Sequence, residues 1–258
     1  MEGVIVTGGK GSRMRNITYV LPKPLLPLIG LNGSGRIYIK PLIDFVLERF
    51  EAIGLDPITI VFSRNSSLIV DYLSVRGPPQ ARLRFVLDVE MRGYGNAVLL
   101  AKSSVDGPFF LNADDNILPL EYYRAAVDLF SSESLDAVLF VHRVENPTRY
   151  GVIEPSDQEE FGGYRVYRVR GVVEKPMRPP SDLAMAAIYV FSPRIFDALS
   201  EVKRAKGGGE EMELVEGLQR LIDMGGVVKA IEMRERWISV GRPEDYLEAL
   251  RLSYETGL

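Results

Sequence analysis

A glycine-rich turn follows directly on an apolar run in the segment Val4-Ile-Val-Thr-Gly-Gly-Lys-Gly-Ser-Arg13. Gly8, Gly9 and Gly11 carry no side chain, so backbone N–H groups there can approach an anion closely. Arg13 adds one cation, and Lys23, between Pro22 and Pro24, adds another. A guanidinium clasps a diphosphate through paired hydrogen bonds, whereas an ammonium acts as a point charge on a phosphoryl group. The flanking prolines are expected to hold Lys23 on a stiff, extended segment. Together these residues point to phosphate binding rather than to a tight turn with two solvated cations. The turn is not a Walker A loop, since no glycine lies five residues before a Gly-Lys pair followed by Ser or Thr. Nor is it a complete dinucleotide fingerprint, because Met14 stands where a third glycine is required. Further along, Asp114 follows the apolar run 108–112, and a carboxylate at such a strand end can hold Mg²⁺, a hard cation that prefers oxygen ligands. Asp115 is adjacent, and Asp114 is the preferred ligand of the two.

Composition removes several other chemistries. The chain of 258 residues has no Cys and a single His, His142. Disulfides, thiolate nucleophiles and multi-His metal sites are therefore excluded. His142 lies in the apolar run Val-Leu-Phe-Val-His and reads as structural. The formal net charge of −4 argues against a broad nucleic-acid-binding surface while leaving room for a local anion site. No apolar run approaches the roughly 20 residues that span a bilayer. Glu2 and the glycine turn that follows do not read as a signal peptide, so a cytoplasmic protein is expected.

The elements that must position these residues alternate. Strands are expected at 3–7, 57–62, 83–89, 108–112 and 136–142, with helices at 40–50, 96–103 and 119–131. This rhythm predicts an α/β fold with a doubly wound, mostly parallel, Rossmann-like sheet. After about residue 145 the pattern becomes strand-rich. Paired strands are expected at 151–154 and 164–174, joined by a polar turn, and further strands at 184–191 and 227–231. Helices are expected at 193–199, 212–224 and 243–254, and 206–211 reads as a glycine-rich connector. The expectation is one domain over residues 1–258. Residues 1–144 would form a nucleotide-binding half, and 145–258 a sugar-binding half with the C-terminal helices.

The ordered motifs resemble those of the sugar-1-phosphate nucleotidylyltransferases. Residues 8–13 and 22–24 match that family's G-G-x-G-x-R and P-K-P signature. Gly93-Tyr-Gly-Asn-Ala97 matches its G-T-G-x-A turn, and Leu111-Asn-Ala-Asp114 its L-N-G-D metal segment. Tyr150-Gly-Val-Ile-Glu154 matches its Y-G-V segment, and Val173-Glu-Lys-Pro176 its E-K-P motif. Trp237-Ile-Ser-Val-Gly241 matches W-x-D-x-G imperfectly. The glucose-1-phosphate thymidylyltransferase and uridylyltransferase branch is the nearest in feel. The resemblance implies transfer of a nucleotidyl group from a nucleoside triphosphate to a hexose-1-phosphate, with release of pyrophosphate and a need for Mg²⁺. It assigns Gly8, Gly9, Gly11, Ser12, Gly93 and Gly95 to the nucleotide. It sets Arg13 on the β,γ-phosphates and Lys23 on the α-phosphate. Gly151 and Glu174 go to the sugar, and Lys175 to its phosphate. For Gly93 and Gly95 the alternative is a helix-entry turn, and for Glu174 and Lys175 an edge-strand charge pair. The resemblance also implies a homo-oligomer.

Several positions depart from the family pattern. Tyr94 replaces the usual small Thr. Ser239 stands at the second metal-binding Asp, and a hydroxyl is a poorer Mg²⁺ ligand than a carboxylate. Ala187 replaces a common Gly, and Val215-Glu216 a common Thr-Asp pair. They keep two alternatives open: a weakly active or non-catalytic nucleotide-sugar sensor of the same fold, and a polyol- or inositol-phosphate cytidylyltransferase.

Overall fold

The computed structural model describes residues 1–9, 12–31, 35–76, 81–207, 209–234 and 237–256. The strands are β1 Glu2–Thr7, β2 Pro27–Leu31, β3 Ile37–Pro41, β4 Ile58–Ser63, β5 Leu83–Asp88, β6 Phe109–Ala113 and β7 Asn116–Ile117. Then follow β8 Ala137–Arg143, β9 Gly151–Phe161, β10 Tyr164–Glu174, β11 Leu183–Phe191, β12 Val228–Glu232 and β13 Ile238–Ser239. The helices are α1 Leu42–Ala52, α2 Leu68–Val75, α3 Tyr94–Leu100, α4 Leu120–Ser132, α5 Arg194–Ala205, α6 Leu214–Asp223 and α7 Pro243–Thr256.

Nine strands make one sheet in the order β5-β4-β1-β6-β11-β8-β12-β10-β9. The ladders β5–β4, β4–β1 and β1–β6 are parallel, as the alternation of strands and helical crossovers requires. β11 then inserts antiparallel to both β6 and β8, and β12 rejoins β8 in parallel. The long β9–β10 hairpin completes the sheet. All four strands of the parallel half end at the same edge, where open α/β sheets collect ligands.

Both faces of the sheet are covered. Alternate residues of β6 show why: Phe110 joins the core under α1 and α4, while Phe109 and Leu111 join the core under α3, α5 and α6. Phe110 lies stacked on Tyr123 at 5.0 Å between ring centroids and tilted against Phe50 at 5.5 Å. No helix among the described residues is long and apolar enough to cross a membrane.

Several expected boundaries shift. β9 continues to Phe161, and the turn is reduced to Gly162 and Gly163, both with left-handed φ (58° and 85°). Residues expected in a polar turn are strand because β9 is the outermost strand, where Pro155 and the charges of Asp157, Glu159 and Glu160 are tolerated. The hairpin of β2 and β3 and the short helix α2 were not expected from periodicity. Lys23 is not extended either. It opens one 3-10 turn, Lys23–Leu25, in which the amide of Leu26 donates to the Lys23 carbonyl at 3.0 Å. Proline at the second position of such a turn costs nothing, since its missing N–H would find no partner there.

Phe110→Ala is expected to destabilise the chain by about 3–5 kcal/mol in a denaturant titration, because a fully buried ring in contact with Phe50, Tyr123 and Phe140 leaves a cavity.

Candidate active site at the carboxyl edge of the sheet

The site is built on the turn that follows β6. Asn112 is fully buried, and its side-chain amide donates to the carbonyls of Ala113 (2.5 Å) and Asn116 (2.8 Å). Its own carbonyl accepts from the Tyr123 hydroxyl at 2.9 Å. The turn carrying Asp114 and Asp115 is thus pinned from inside the core. Two more bonds fix it from its flanks: Asp114 N–H donates to the carbonyl of Val6 (3.2 Å), and Val240 N–H to that of Asp115 (3.0 Å). Ser239 of β13 sits opposite Asn116 of β7, so the position that departs from the family pattern lies beside this turn.

Lys23 reaches the same place from the other side. Its Nζ lies 2.7 Å from Asp115 Oδ2, each side chain being only 17% exposed. Asn116 donates to the other oxygen of Asp115 at 2.6 Å. Burial works against the charge on Lys23, but Asp115 and Asp114 outweigh it and hold its pKa above the ordinary lysine value. Arg13, exposed on the 3-10 segment Ser12–Tyr19, is near enough for its charge to oppose that of Lys23. Asp114 behaves differently from its neighbour. Burial, then repulsion by Asp115, pushes its pKa up to about 7, with Lys23 only partly countering this.

A cavity of about 280 Å³ opens next to the turn, over the ends of β1, β4 and β5. Gly8 and Gly9 line one side, and Asp88, Gly93 and Tyr94 another. The carbonyls of Thr7 and Gly8 accept bonds from the hydroxyls of Ser66 (3.0 Å) and Ser63 (3.2 Å), which set the start of the glycine turn. Gly11 lies outside the described residues, as does the side chain of Ser12. The Tyr94 hydroxyl is buried and has no hydrogen-bond partner among the described residues. Burial pushes its pKa well up, with the nearby Tyr189, Asp115 and Asp114 adding to the effect, so it remains a hydroxyl donor.

Gly93 and Gly95 are fixed by packing. A Cβ on Gly93, which has φ +90°, would lie 2.5 Å from the Met212 carbonyl oxygen, and one on Gly95 would lie 2.8 Å from the Glu213 backbone. The Gly95 amide donates to that Met212 carbonyl at 2.8 Å. Their missing side chains therefore seat α3 against the start of α6, the helix-entry alternative, while Gly93 also lines the cavity.

The remaining expected residues form a second cluster. Gly151 pairs in register with Glu174, and a Cβ there would meet Glu174 Oε2 at 2.9 Å and Met185 Cε at 2.8 Å. The strand ends between Glu174 and Lys175, which has φ +41°, and Lys175 Nζ turns back to Glu174 Oε1 at 2.6 Å. The Glu174 charge adds to the effect of burial in raising the pKa of Tyr189, so the second cluster lies within electrostatic reach of that residue. Glu216, at the departure noted above, caps α6: its carboxylate accepts from the Glu213 amide at 2.8 Å and pairs with Lys206 at 2.6 Å. His142 lies buried with its ring 4.0 Å from that of Trp237, and burial lowers its pKa to about 4, so it is uncharged at neutral pH.

Sequence reasoning did not single out Asn112 or Asp88. Asn112 lay inside a recognised motif but reads as polar filler until its buried amide is seen bridging two carbonyls. Asp88 is the last residue of β5, and the strand-end argument that selected Asp114 applies to it equally.

An α/β sheet with a glycine turn, a half-buried lysine and paired carboxylates at its carboxyl edge defines a nucleotide-handling protein. Residues 2–255 match the nucleotidyl transferase family, and the chain belongs to that family. It is 30% identical over 257 residues to the low-salt glycan biosynthesis nucleotidyltransferase Agl11 of Haloferax volcanii, covering 99% of this chain and 66% of the relative. It is 31% identical to the bifunctional protein GlmU of Methanocaldococcus jannaschii, covering 96% of this chain and 53% of that one. The chain thus spans between half and two thirds of these relatives. The UTP–glucose-1-phosphate uridylyltransferase AglF of Haloferax volcanii is 29% identical and matches over 99% of this chain and 98% of its own length. Among solved structures, UDP-glucose pyrophosphorylase in complex with UDP-glucose superposes with a TM-score of 0.82 at 25% identity, covering 98% of both chains.

The raised pKa of Asp114 gives a stability prediction. Between about pH 4 and pH 7 the folded chain keeps a proton that the unfolded chain has lost, so this group favours folding at the acid end of that range. The advantage disappears as the pH rises through 7, where a buried anion must be tolerated. In a chelator, Asp114→Asn is expected to match the wild-type melting temperature near pH 5. Above pH 7 it should exceed the wild type by about 2–3 kcal/mol, roughly 4–12 °C. Thermal unfolding across that pH series measures the difference.

Proposed function

We propose that the chain transfers a nucleotidyl group from a nucleoside triphosphate to a hexose-1-phosphate. An oxygen of the sugar phosphate attacks the α-phosphorus. The bond from that phosphorus to the bridging oxygen breaks, pyrophosphate leaves, and a nucleotide-sugar forms. The observation that carries this reading is the meeting of Lys23 with Asp114 and Asp115 beside the cavity lined by Gly8 and Gly9. Such chemistry needs positioning and charge neutralisation more than a covalent nucleophile, in keeping with a chain that has no Cys.

In this reading the glycine turn, Ser12 and Arg13 hold the triphosphate tail, and Lys23 steadies the α-phosphate as charge develops. Gly93 lines the nucleotide cavity, and Gly95 seats the helix behind it. Glu174 holds sugar hydroxyls, Gly151 leaves room for that carboxylate, and Lys175 meets the sugar phosphate. The residues suit Mg²⁺ of the kind that shares its ligands with substrate. Among the described residues no group of three or more acidic or His side chains is poised for a metal, and Mg²⁺ commonly takes one or two carboxylates plus phosphate oxygens and water. Asp114 would be the protein ligand, with Ser239, paired with Asn116 at the edge of the same turn, as a weak second donor. When bound, the ion offsets negative charge on the triphosphate. The name of the uridylyltransferase AglF makes glucose-1-phosphate the first acceptor to assay and UTP the first donor, with dTTP the donor to compare from the sequence resemblance.

Pyrophosphate release across a panel of triphosphates and hexose-1-phosphates tests the reading. Activity is expected to require added divalent metal, and full rate in a strong chelator contradicts the role of Asp114. Lys23→Met is expected to lower kcat by about 10²–10³. A second reading, a nucleotide-sugar sensor, is favoured by Ser239 and Ala187. If no pair yields pyrophosphate while nucleotide still binds, that reading stands, and a large gain in rate on Ser239→Asp would show that the site had decayed.

A further inference from the structure

We infer that Thr7 is a positioning residue for Asp114: its hydroxyl donates to one carboxylate oxygen and leaves the other to a divalent cation. The inference rests on the reading of Asp114 as the metal-binding carboxylate and adds the group that orients it. Thr7 is the last residue of β1, is 1% exposed and lines the cavity with Gly8 and Gly9. Val6 and Ala113 are the last paired residues of β1 and β6, and the bond from the Asp114 amide to the Val6 carbonyl carries that parallel ladder one step further. Thr7 and Asp114 therefore stand side by side across the two strands. On its other side Thr7 is in register with Phe62 of β4, whose ring offers no carbonyl or carboxylate to accept from it. The hydroxyls of Ser63 and Ser66, just beyond Phe62, are spent on the carbonyls of Gly8 and Thr7.

Thr7 Oγ1 is buried and has no hydrogen-bond partner among the described residues. A buried hydroxyl without a partner is costly, and the cost falls away when an acceptor is in place. Asp114 is the neighbour that supplies one. The Thr7 hydroxyl already works against the rise in the pKa of Asp114, as a donor facing its anionic form does. A cation opposite Asp114 holds the carboxyl as an anion, and a hydroxyl donating to an anion makes a stronger bond than one between neutral groups. Rotation about the last side-chain bond of an aspartate is soft, so one fixed donor decides where the second oxygen lies. Lys23 cannot take this part, because it is engaged with Asp115.

The test compares the full chain with Thr7→Val, Thr7→Ser and Asp114→Asn. Valine removes the hydroxyl and keeps a β-branched side chain, and serine keeps the hydroxyl and removes the methyl group. Binding of Mn²⁺ alone is followed by loss of the free-ion paramagnetic resonance signal and by the rise in melting temperature with Mn²⁺ concentration. Thr7→Val is expected to weaken Mn²⁺ binding by about tenfold or more, the effect of removing a group that orients a metal ligand, while Thr7→Ser stays within about threefold of the wild type. In a chelator Thr7→Val should melt no lower than the wild type, so that its loss of metal is not a loss of fold; should it fail to fold, Thr7→Ala carries the same expectation. Half-maximal pyrophosphate release should need more Mg²⁺ in Thr7→Val by a similar factor. Mn²⁺ binding by Thr7→Val as tight as that of the wild type overturns the inference and leaves the role of Asp114 standing. Equal weakening in Thr7→Ser and Thr7→Val also overturns it, since that marks packing of the methyl group. If Asp114→Asn binds Mn²⁺ as tightly as the wild type, the metal reading of Asp114 fails and this inference falls with it.

Discussion

Two adjacent carboxylates at the end of a buried strand repel each other, and the candidate site depends on how that repulsion is managed. Lys23, 92 residues away along the chain, approaches Asp115 to 2.7 Å and takes up one of the two charges. Asp114 is left without such a partner and is disfavoured as an anion. The asymmetry divides the labour between neighbours: one carboxylate holds the lysine, and the other stays available to a cation. Opposing Asp114 with a positive ion would relieve the same burial and repulsion that raise its pKa. Ligand binding and the relief of an unfavourable charge then become one event.

The support under this turn is apolar and far larger than the turn itself. Asn112 occupies a strand position where a core residue is the rule, yet it is fully buried because every polar atom it carries is used. Tyr123, which bonds it, lies stacked on Phe110 in the core below. The packing of one face of the sheet is transmitted to the carboxylates through a single hydroxyl and a single amide.

How much of this was legible in the sequence follows from which interactions are local. The strand ends of the parallel half were readable because apolar runs stop at glycine or acidic residues, as at Thr7 and Ala113. The hairpin 27–41 was not, because prolines at 27 and 41 and glycine at 30 interrupt the periodicity while the ladder still forms. Lys23 was expected to be a phosphate-facing cation, but its partnership with Asp115 spans most of the first half of the chain and has no sequence signature. The glycines were the hardest to assign. Gly93, Gly95 and Gly151 all need to be glycine, but what presses on them is backbone at 212–213 or the side chains of Glu174 and Met185. Spacing shows that room is required there and does not show what fills it.

The order of strands in the sheet has a bearing on biosynthesis. β6 and β8 are not neighbours: β11 lies between them and begins forty residues after β8 ends, at Leu183 against Arg143. A growing polypeptide on the ribosome therefore carries two unpaired strand edges until that segment emerges. The carbonyl of Asp115 waits longer still, for the amide of Val240. The turn carrying Asp114 and Asp115 is thus translated near the middle of the chain but gains its last backbone bond only when residue 240 has emerged, which ties completion of the candidate site to the end of synthesis.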